Sequence, residues 1–247
     1  MAIIHSTATL TPTKLELLAS WLPAQPWYLG PGREPELARA GGFRLDDPRG
    51  EVGIEFMVVT DGSGARVASY LVPMTYRASA LASADGALIG TAEHGVLGRR
   101  WIYDGVHDPV LVAQLVALIQ GDAEPQAQSV SDTPDPTVIS EPVTSGSLTA
   151  INSAVASEPS GSVLRVETKG ADGVGDGRLV VRVSRVLQPD GTAAPVASAA
   201  SAGPAASAAP AASAASVAEA GQPCLTATWR LPDGTRVRGI MASAQYT

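Results

Sequence analysis

The densest group of chemically capable side chains is Arg99-Arg100-Trp101, preceded by His94-Gly95-Val96-Leu97-Gly98. Guanidinium and indole groups are enriched at the centres of protein interfaces, so His94, Arg99, Arg100 and Trp101 read as a contact patch; a solvated strand edge is the plainer alternative. Trp21, Trp27, Tyr28, Trp101 and Tyr103 offer flat apolar faces that suit sugar rings, although aromatics at the ends of helices and strands ordinarily pack a core. Arg178, Arg182, Arg230, Arg236 and Arg238 fall mostly on the polar phase of extended segments. They form either a basic stripe able to dock an acidic partner or the wet face of a sheet.

Catalytic constellations are incomplete. Gly170-Ala171-Asp172-Gly173-Val174-Gly175-Asp176-Gly177 has the glycines of a phosphate loop, but no lysine follows on a strand to pair with phosphates, so a tight turn is expected. His107-Asp108 mimics the start of a phosphoryl-transfer loop, yet Ala113 stands where a magnesium-holding asparagine is needed, and no later Asp-Phe-Gly-like triplet occurs. His5, His94 and His107, with Glu93, Asp104 and Asp108, lack metal-site spacing. No serine sits in a Gly-x-Ser-x-Gly elbow, and Cys224 has no nucleophile signature and reads as a small packing residue. No catalytic, cofactor or metal residue is therefore assigned.

Composition bounds the partners. Across 247 residues the chain has 17 Lys and Arg against 24 Asp and Glu, a net charge of −7, which disfavours nucleic acid as a partner. A single cysteine excludes an internal disulfide, and the sequence has no basic start followed by an apolar run and no spanning apolar stretch. The expected setting is cytoplasmic, away from membranes; the oligomeric state is left open.

The elements that position these groups follow from local pattern. Thr13 and Glu16 have capping-box spacing, and Leu15, Leu18, Trp21 and Leu22 recur at helical intervals until Pro23 and Pro26 stop them. A loop is expected around Gly30 to Gly42. Val52, Ile54, Phe56 and Val58 alternate as a half-buried strand, and after the Asp61-Gly62-Ser63-Gly64 turn Val67 to Tyr76 completes a hairpin. Asp108-Pro109 starts a second helix, which Gly121 ends. Residues 122–160 read as a disordered linker. Residues 161–247 read as a small antiparallel β module: Val163 to Val166, Leu179 to Leu187, Leu225 to Trp229 and Arg236 to Met241 are strand-like, with a flexible Ala/Ser/Pro insertion at about 192–220.

The string Trp21-Leu22-Pro23-Ala24-Gln25-Pro26-Trp27-Tyr28, the Gly-rich loop after it, and a hairpin with a later helix resemble the maltokinase N-terminal cap domain family over roughly the first half of the chain. Pro26 stands where the family usually has arginine, so the contact that arginine makes is absent; the string is closer to stand-alone actinobacterial proteins that have a cap without a kinase. The resemblance implies an α+β fold, a cystatin-like or monellin-like curved antiparallel sheet packed on helices, over residues 1–121. Trp21, Gln25, Trp27 and Tyr28 are then structural. The implied function is that of a non-catalytic accessory or scaffold of α-glucan, maltose or trehalose metabolism, contacting a kinase-like or glucan-processing enzyme. A diverged sugar kinase, a glucan-active enzyme and a carbohydrate-binding module are the alternatives.

Overall fold

The structure, a computed structural model, describes residues 9–30, 32–130, 132–141, 148–170, 176–190 and 223–247. In chain order the elements are β1 (Leu10–Thr11), α1 (Lys14–Trp21), β2 (Leu37–Leu45), β3 (Gly53–Asp61), β4 (Ala68–Arg77), β5 (Leu88–His94), β6 (Gly98–Asp104) and α2 (Pro109–Gln120). The later strands are β7 (Gln126–Ala127), β8 (Ile139–Ser140), β9 (Leu148–Glu158), β10 (Gly161–Gly170), β11 (Asp176–Ser184), β12 (Val186–Leu187), β13 (Cys224–Arg230) and β14 (Arg236–Tyr246).

Both helices begin as their sequences dictate. Thr13 Oγ1 accepts from the Glu16 amide while Glu16 Oε2 accepts from the Thr13 amide at 2.7 Å, the reciprocal cap that satisfies two otherwise orphaned donors of α1. Asp108 caps α2 through the Val110 amide at 2.9 Å, Pro109 occupies the first turn, and Gly121 ends the helix in the left-handed region at φ 83°.

The strands form one open antiparallel sheet in the order β1-β5-β6-β4-β3-β2-β13-β14-β11-β10-β9. Its path nearly closes on itself, because the chain leaving β11 continues into β12, which pairs with β4 through Val186 opposite Tyr70 and Leu187 opposite Ser69. The Leu71 amide also donates to the Arg185 carbonyl at 3.0 Å. Pro73 fits inside β4 because its nitrogen points to the same side as that of Leu71. There it meets the gap between β12, opposite residues 69–70, and β6, opposite residues 74–77, where no ladder bond needs a donor.

Alternation on β3 divides the apolar groups into two cores. Ile54, Phe56 and Val58 face an inner core with α2 and the C-terminal strands, where Phe43 stacks on Phe56 at 4.6 Å and Trp229 donates to Ser69 Oγ at 3.1 Å. Met57 and Val59 face an outer core closed by α1, Trp27 and Tyr28. Among the described residues no helix is long and apolar enough to cross a membrane.

Two sequence expectations change. Part of the loop assigned to Gly30–Gly42 is strand β2, where Gly42 has no Cβ that would otherwise stand 2.1 Å from the Phe56 carbonyl oxygen. The expected linker over 122–160 contains β7, β8 and β9. Few apolar residues were legible there, but β9 is held by its backbone ladder to β10, and Ala150 and Val155 pack against the inner core. The C-terminal strands join the same sheet as β2–β6, since Trp229 of β13 lies opposite Gly41 of β2. The insertion at about 192–220 and residues 171–175 of the glycine-rich turn lie outside the described residues.

Candidate functional site

Trp21 ends α1, a 3-10 turn follows, and the Gln25 side-chain amide donates to the Trp21 carbonyl at 3.2 Å. This turns Trp27 and Tyr28 inward, where both are buried. Trp27 meets the edge of Trp21 at 5.8 Å, and Tyr28 lies 5.6 Å from Tyr70. Tyr28 donates to Asp61 Oδ2 at 2.8 Å, and the Leu29 amide donates to Tyr70 Oη at 3.1 Å. Burial, then the Asp61 carboxylate, pushes the Tyr28 phenol up to about 12. Burial pushes Tyr70 to about 12 as well. Both stay protonated at neutral pH, and neither ring presents a face for a sugar.

His94 closes β5, and Arg99, Arg100 and Trp101 open β6, so the hairpin brings all four to one end of the sheet. His94 Nδ1 accepts from the Val96 and Leu97 amides at 3.2 and 3.1 Å, which fixes that nitrogen as the unprotonated one and shapes the turn. Arg99 Nε donates to Glu93 Oε1 at 2.8 Å with both side chains exposed, and Arg100 Nη2 donates to the Leu97 carbonyl at 2.8 Å. Trp101 is half-buried against a small cluster of Ala84, Ala87 and Tyr103. The tip exposes Val96 at 60% and Leu97 at 47%, so the hairpin offers an apolar point ringed by guanidinium groups.

The residues weighed for catalysis or metal binding are taken by other partners. Asp108 is fully buried, and Arg77 grips its two carboxylate oxygens from Nε at 2.6 Å and Nη2 at 2.7 Å. It has no free oxygen to accept a substrate proton. Glu93 serves Arg99, Asp104 serves Arg185, and His107 is exposed at the end of a short turn. His5 lies outside the described residues, among which no group of three or more His, Cys, Asp or Glu gathers as metal ligands. Burial and the Glu141 carboxylate, 3.7 Å from Cys224 Sγ, hold that thiol above its ordinary value.

Two buried charges escaped the sequence reading. Arg185 is fully buried between β11 and β12: Nη2 donates to both oxygens of Asp104 at 2.6 Å, Nε donates to Ser162 Oγ at 2.9 Å, and the guanidinium lies 5.2 Å from the Trp27 ring. It shares the inward phase of Val183 and Leu187, and a charge on an apolar phase is the signal that would have found it. Glu55 shares the phase of Met57 and accepts from Lys14 Nζ at 2.6 Å, Tyr76 Oη at 2.5 Å and Gln128 Nε2 at 2.6 Å. Burial opposes its ionisation, but Lys14 and the three donated bonds outweigh that and hold the carboxyl below the usual glutamate range. Burial and the Glu55 charge hold Tyr76 well above its ordinary value. One group stays ionised and its partner stays protonated, so the cluster staples α1 and the 126–130 segment to the sheet and moves no proton near neutrality.

The first part of the chain is thus an antiparallel sheet with α1 against one face and an aromatic turn as its wedge. Residues 21–108 match the family model of the maltokinase N-terminal cap domain, from Trp21 through β2–β6 to the Asp108 cap of α2. No curated protein was found to match the chain.

Proposed function

We propose that this protein is a non-catalytic accessory or scaffold of α-glucan, maltose or trehalose metabolism. It acts in the cytoplasm through contact between its cap-type module and a kinase-like or glucan-processing enzyme. The cap match ties the chain to maltokinase-related metabolism. The accessory reading is supported by the use made of the chain beyond residue 108, where α2 and the described C-terminal strands complete the cap's own sheet and inner core. Asp108, in the position that resembles a catalytic loop, is consumed by Arg77 and the helix cap. The proposed contact surface is the β5–β6 hairpin with His94, Arg99, Arg100 and Trp101, held by a closed turn that limits the ordering cost of binding. The module's curved sheet around α1 is read as cystatin-like or monellin-like.

The test incubates purified protein with ATP, magnesium and maltose, glucosamine or glucose, and in parallel measures its binding to the purified maltokinase or glucan-processing enzymes of the same cell. Binding without sugar-dependent ADP release is expected. ADP release that tracks the protein through purification overturns the reading in favour of a diverged kinase; binding to a glucan array with none to any enzyme overturns it in favour of a carbohydrate-binding module.

A further inference from the structure

Charge is divided unevenly along this chain. Residues 1–141 hold nine Lys and Arg against seventeen Asp and Glu, whereas residues 142–247 hold eight against seven. Of those eight cations only Arg185 is buried. Strand register places the other seven on a single face, the exterior of the β10-β11-β14-β13 sheet. Leu179, Val181, Val183, Leu225, Ala227 and Trp229 take the inward phase, which leaves Arg178, Arg182 and Arg230 pointing outward. Arg165 and Lys169 share that phase on β10, as do Arg236 and Arg238 on β14. The acidic positions of this phase on the strands are Glu158, Glu167 and Asp176, and the Glu141 carboxylate lies beside Cys224 at the β13 end.

The β13–β14 end is the most charged. Arg230 stands directly opposite Arg236, an arrangement that repels and that a sheet tolerates only when something offsets it. Arg238 lies two residues along on the same face and donates to Thr226 Oγ1 at 3.0 Å. Arg230 and Arg236 make no hydrogen bond or ion pair with the described residues. At the other end Arg182 reaches only a loose, exposed contact with Glu158 at 3.7 Å, and Arg178 lies beside Thr247. From Arg236 to Tyr246 the strand β14 spans roughly 33 Å at about 3.3 Å per residue, so the cations form a stripe with two charged ends.

We infer that this stripe docks a carboxylate-rich, extended segment of about ten residues from a partner protein. An exposed guanidinium gains little from one small anion that stays solvated on its far side, but several carboxylates on one chain engage the stripe together. The surplus of seventeen acids over nine bases in residues 1–141 repels a long polyanion that overruns the stripe, which favours a short acidic segment over nucleic acid. Between the charged ends the face presents Thr226, Thr228, Ile240, Ser243 and Gln245 and, among the described residues, no aromatic platform on which a base would stack. The stripe is separate from the β5–β6 hairpin, and the inference does not depend on which enzyme that hairpin meets.

The experiment follows fluorescence anisotropy of a labelled Glu-Ser repeat decapeptide added to the full chain at about 20 mM salt, where screening is weak. Inorganic phosphate and an oligo-dT strand of equal charge serve as competitors. Saturable peptide binding is expected, released by about 0.3 M salt and weakened about tenfold or more by the triple change Arg230→Gln, Arg236→Gln, Arg238→Gln. Arg178→Gln with Arg182→Gln should weaken it at the other end. Replacing the same three arginines by lysine should keep most of the affinity, and Arg99→Gln with Arg100→Gln should leave it within about twofold. Unchanged melting of each variant shows that folding is intact; if the triple change unfolds the chain, the Arg178 and Arg182 pair decides. No saturable binding, equal binding by the Gln variants, or tighter binding of oligo-dT overturns the inference.

Discussion

Replacing Arg185 by methionine removes a guanidinium that ties three distant parts of the chain together: Asp104 at the end of β6, Ser162 on β10 and the ring of Trp27 beyond α1. Methionine matches much of the volume, so the loss is mainly electrostatic. Asp104, 4% exposed, is left as a buried carboxylate without its cation. Removing one partner of a buried ion pair costs about 3–5 kcal/mol, a large share of the total for a protein whose native state is held by about 5–15 kcal/mol. At about 2–4 °C per kcal/mol for a chain of this size, the melting point should fall by roughly 6–20 °C. Urea unfolding followed both by far-UV circular dichroism and by tryptophan fluorescence checks it, because Trp21, Trp27 and Trp101 weight the fluorescence toward residues 21–108 whereas the circular dichroism reports all the strands. Both signals should shift together. The double change Arg185→Met with Asp104→Leu should recover much of the loss, since a buried pair exchanged for apolar side chains is often neutral. A single change costing under about 1 kcal/mol, or a fluorescence transition that holds while the circular dichroism transition shifts, would refute the reasoning.

Three further outcomes are expected. Arg99→Ala with Arg100→Ala should weaken binding of the cognate enzyme by about tenfold, or about 1.4 kcal/mol, without changing the melting point; if both Arg changes are silent in pull-down while Trp101→Ala unfolds the domain, the hairpin is packing alone and the interface lies elsewhere. Folding lowers the Glu55 pKa, so its ion contributes stability at every pH above the ordinary glutamate value and loses it as pH falls through the folded value. Acid titration of Glu55→Gln should therefore show a shallower loss of stability below about pH 4.5 than the parent does. Gly42→Ala should destabilise by about 2 kcal/mol or more, because φ is 130° and the new methyl would meet the Phe56 carbonyl; Gly50→Ala, at φ 69° with open space around it, should cost only about 1–2 kcal/mol by urea melts.

Local chemistry was legible and long-range pairing was not. Thr13 with Glu16, and Asp108 with Pro109 and Gly121, announce helix ends through short-range signals, and both helices stand where those signals put them. The alternation from Val52 to Val58 likewise announces β3, though not that both its faces are buried. Strand β9 was missed because Ala and Ser give weak periodicity; its order comes from the ladder to β10 and from the inner core. At the hairpin, the turn residues placed His94, Arg99, Arg100 and Trp101 together, but the bonds from the Val96 and Leu97 amides to His94 depend on backbone directions that residue types do not encode. Arg185 and Asp104 are 81 residues apart, and no local pattern joins them.

The pairing of β12 with β4 and of β13 with β2 sets a schedule for the nascent chain. The strands of the cap segment are all synthesised by Asp104, yet the inner faces of Phe43, Phe56 and Leu71 share a core with Leu187 and Trp229, and β13 ends only at Arg230. At about 5–20 residues per second, the ribosome leaves roughly 6–25 s in which one side of a nearly finished sheet has no cover. Such distant pairings also close slowly once the chain is complete. During that interval the uncovered apolar face should be open to chaperones and to other nascent copies. Yield in the cell should then respond to translation speed and to temperature during synthesis more steeply than the equilibrium stability of the finished protein suggests.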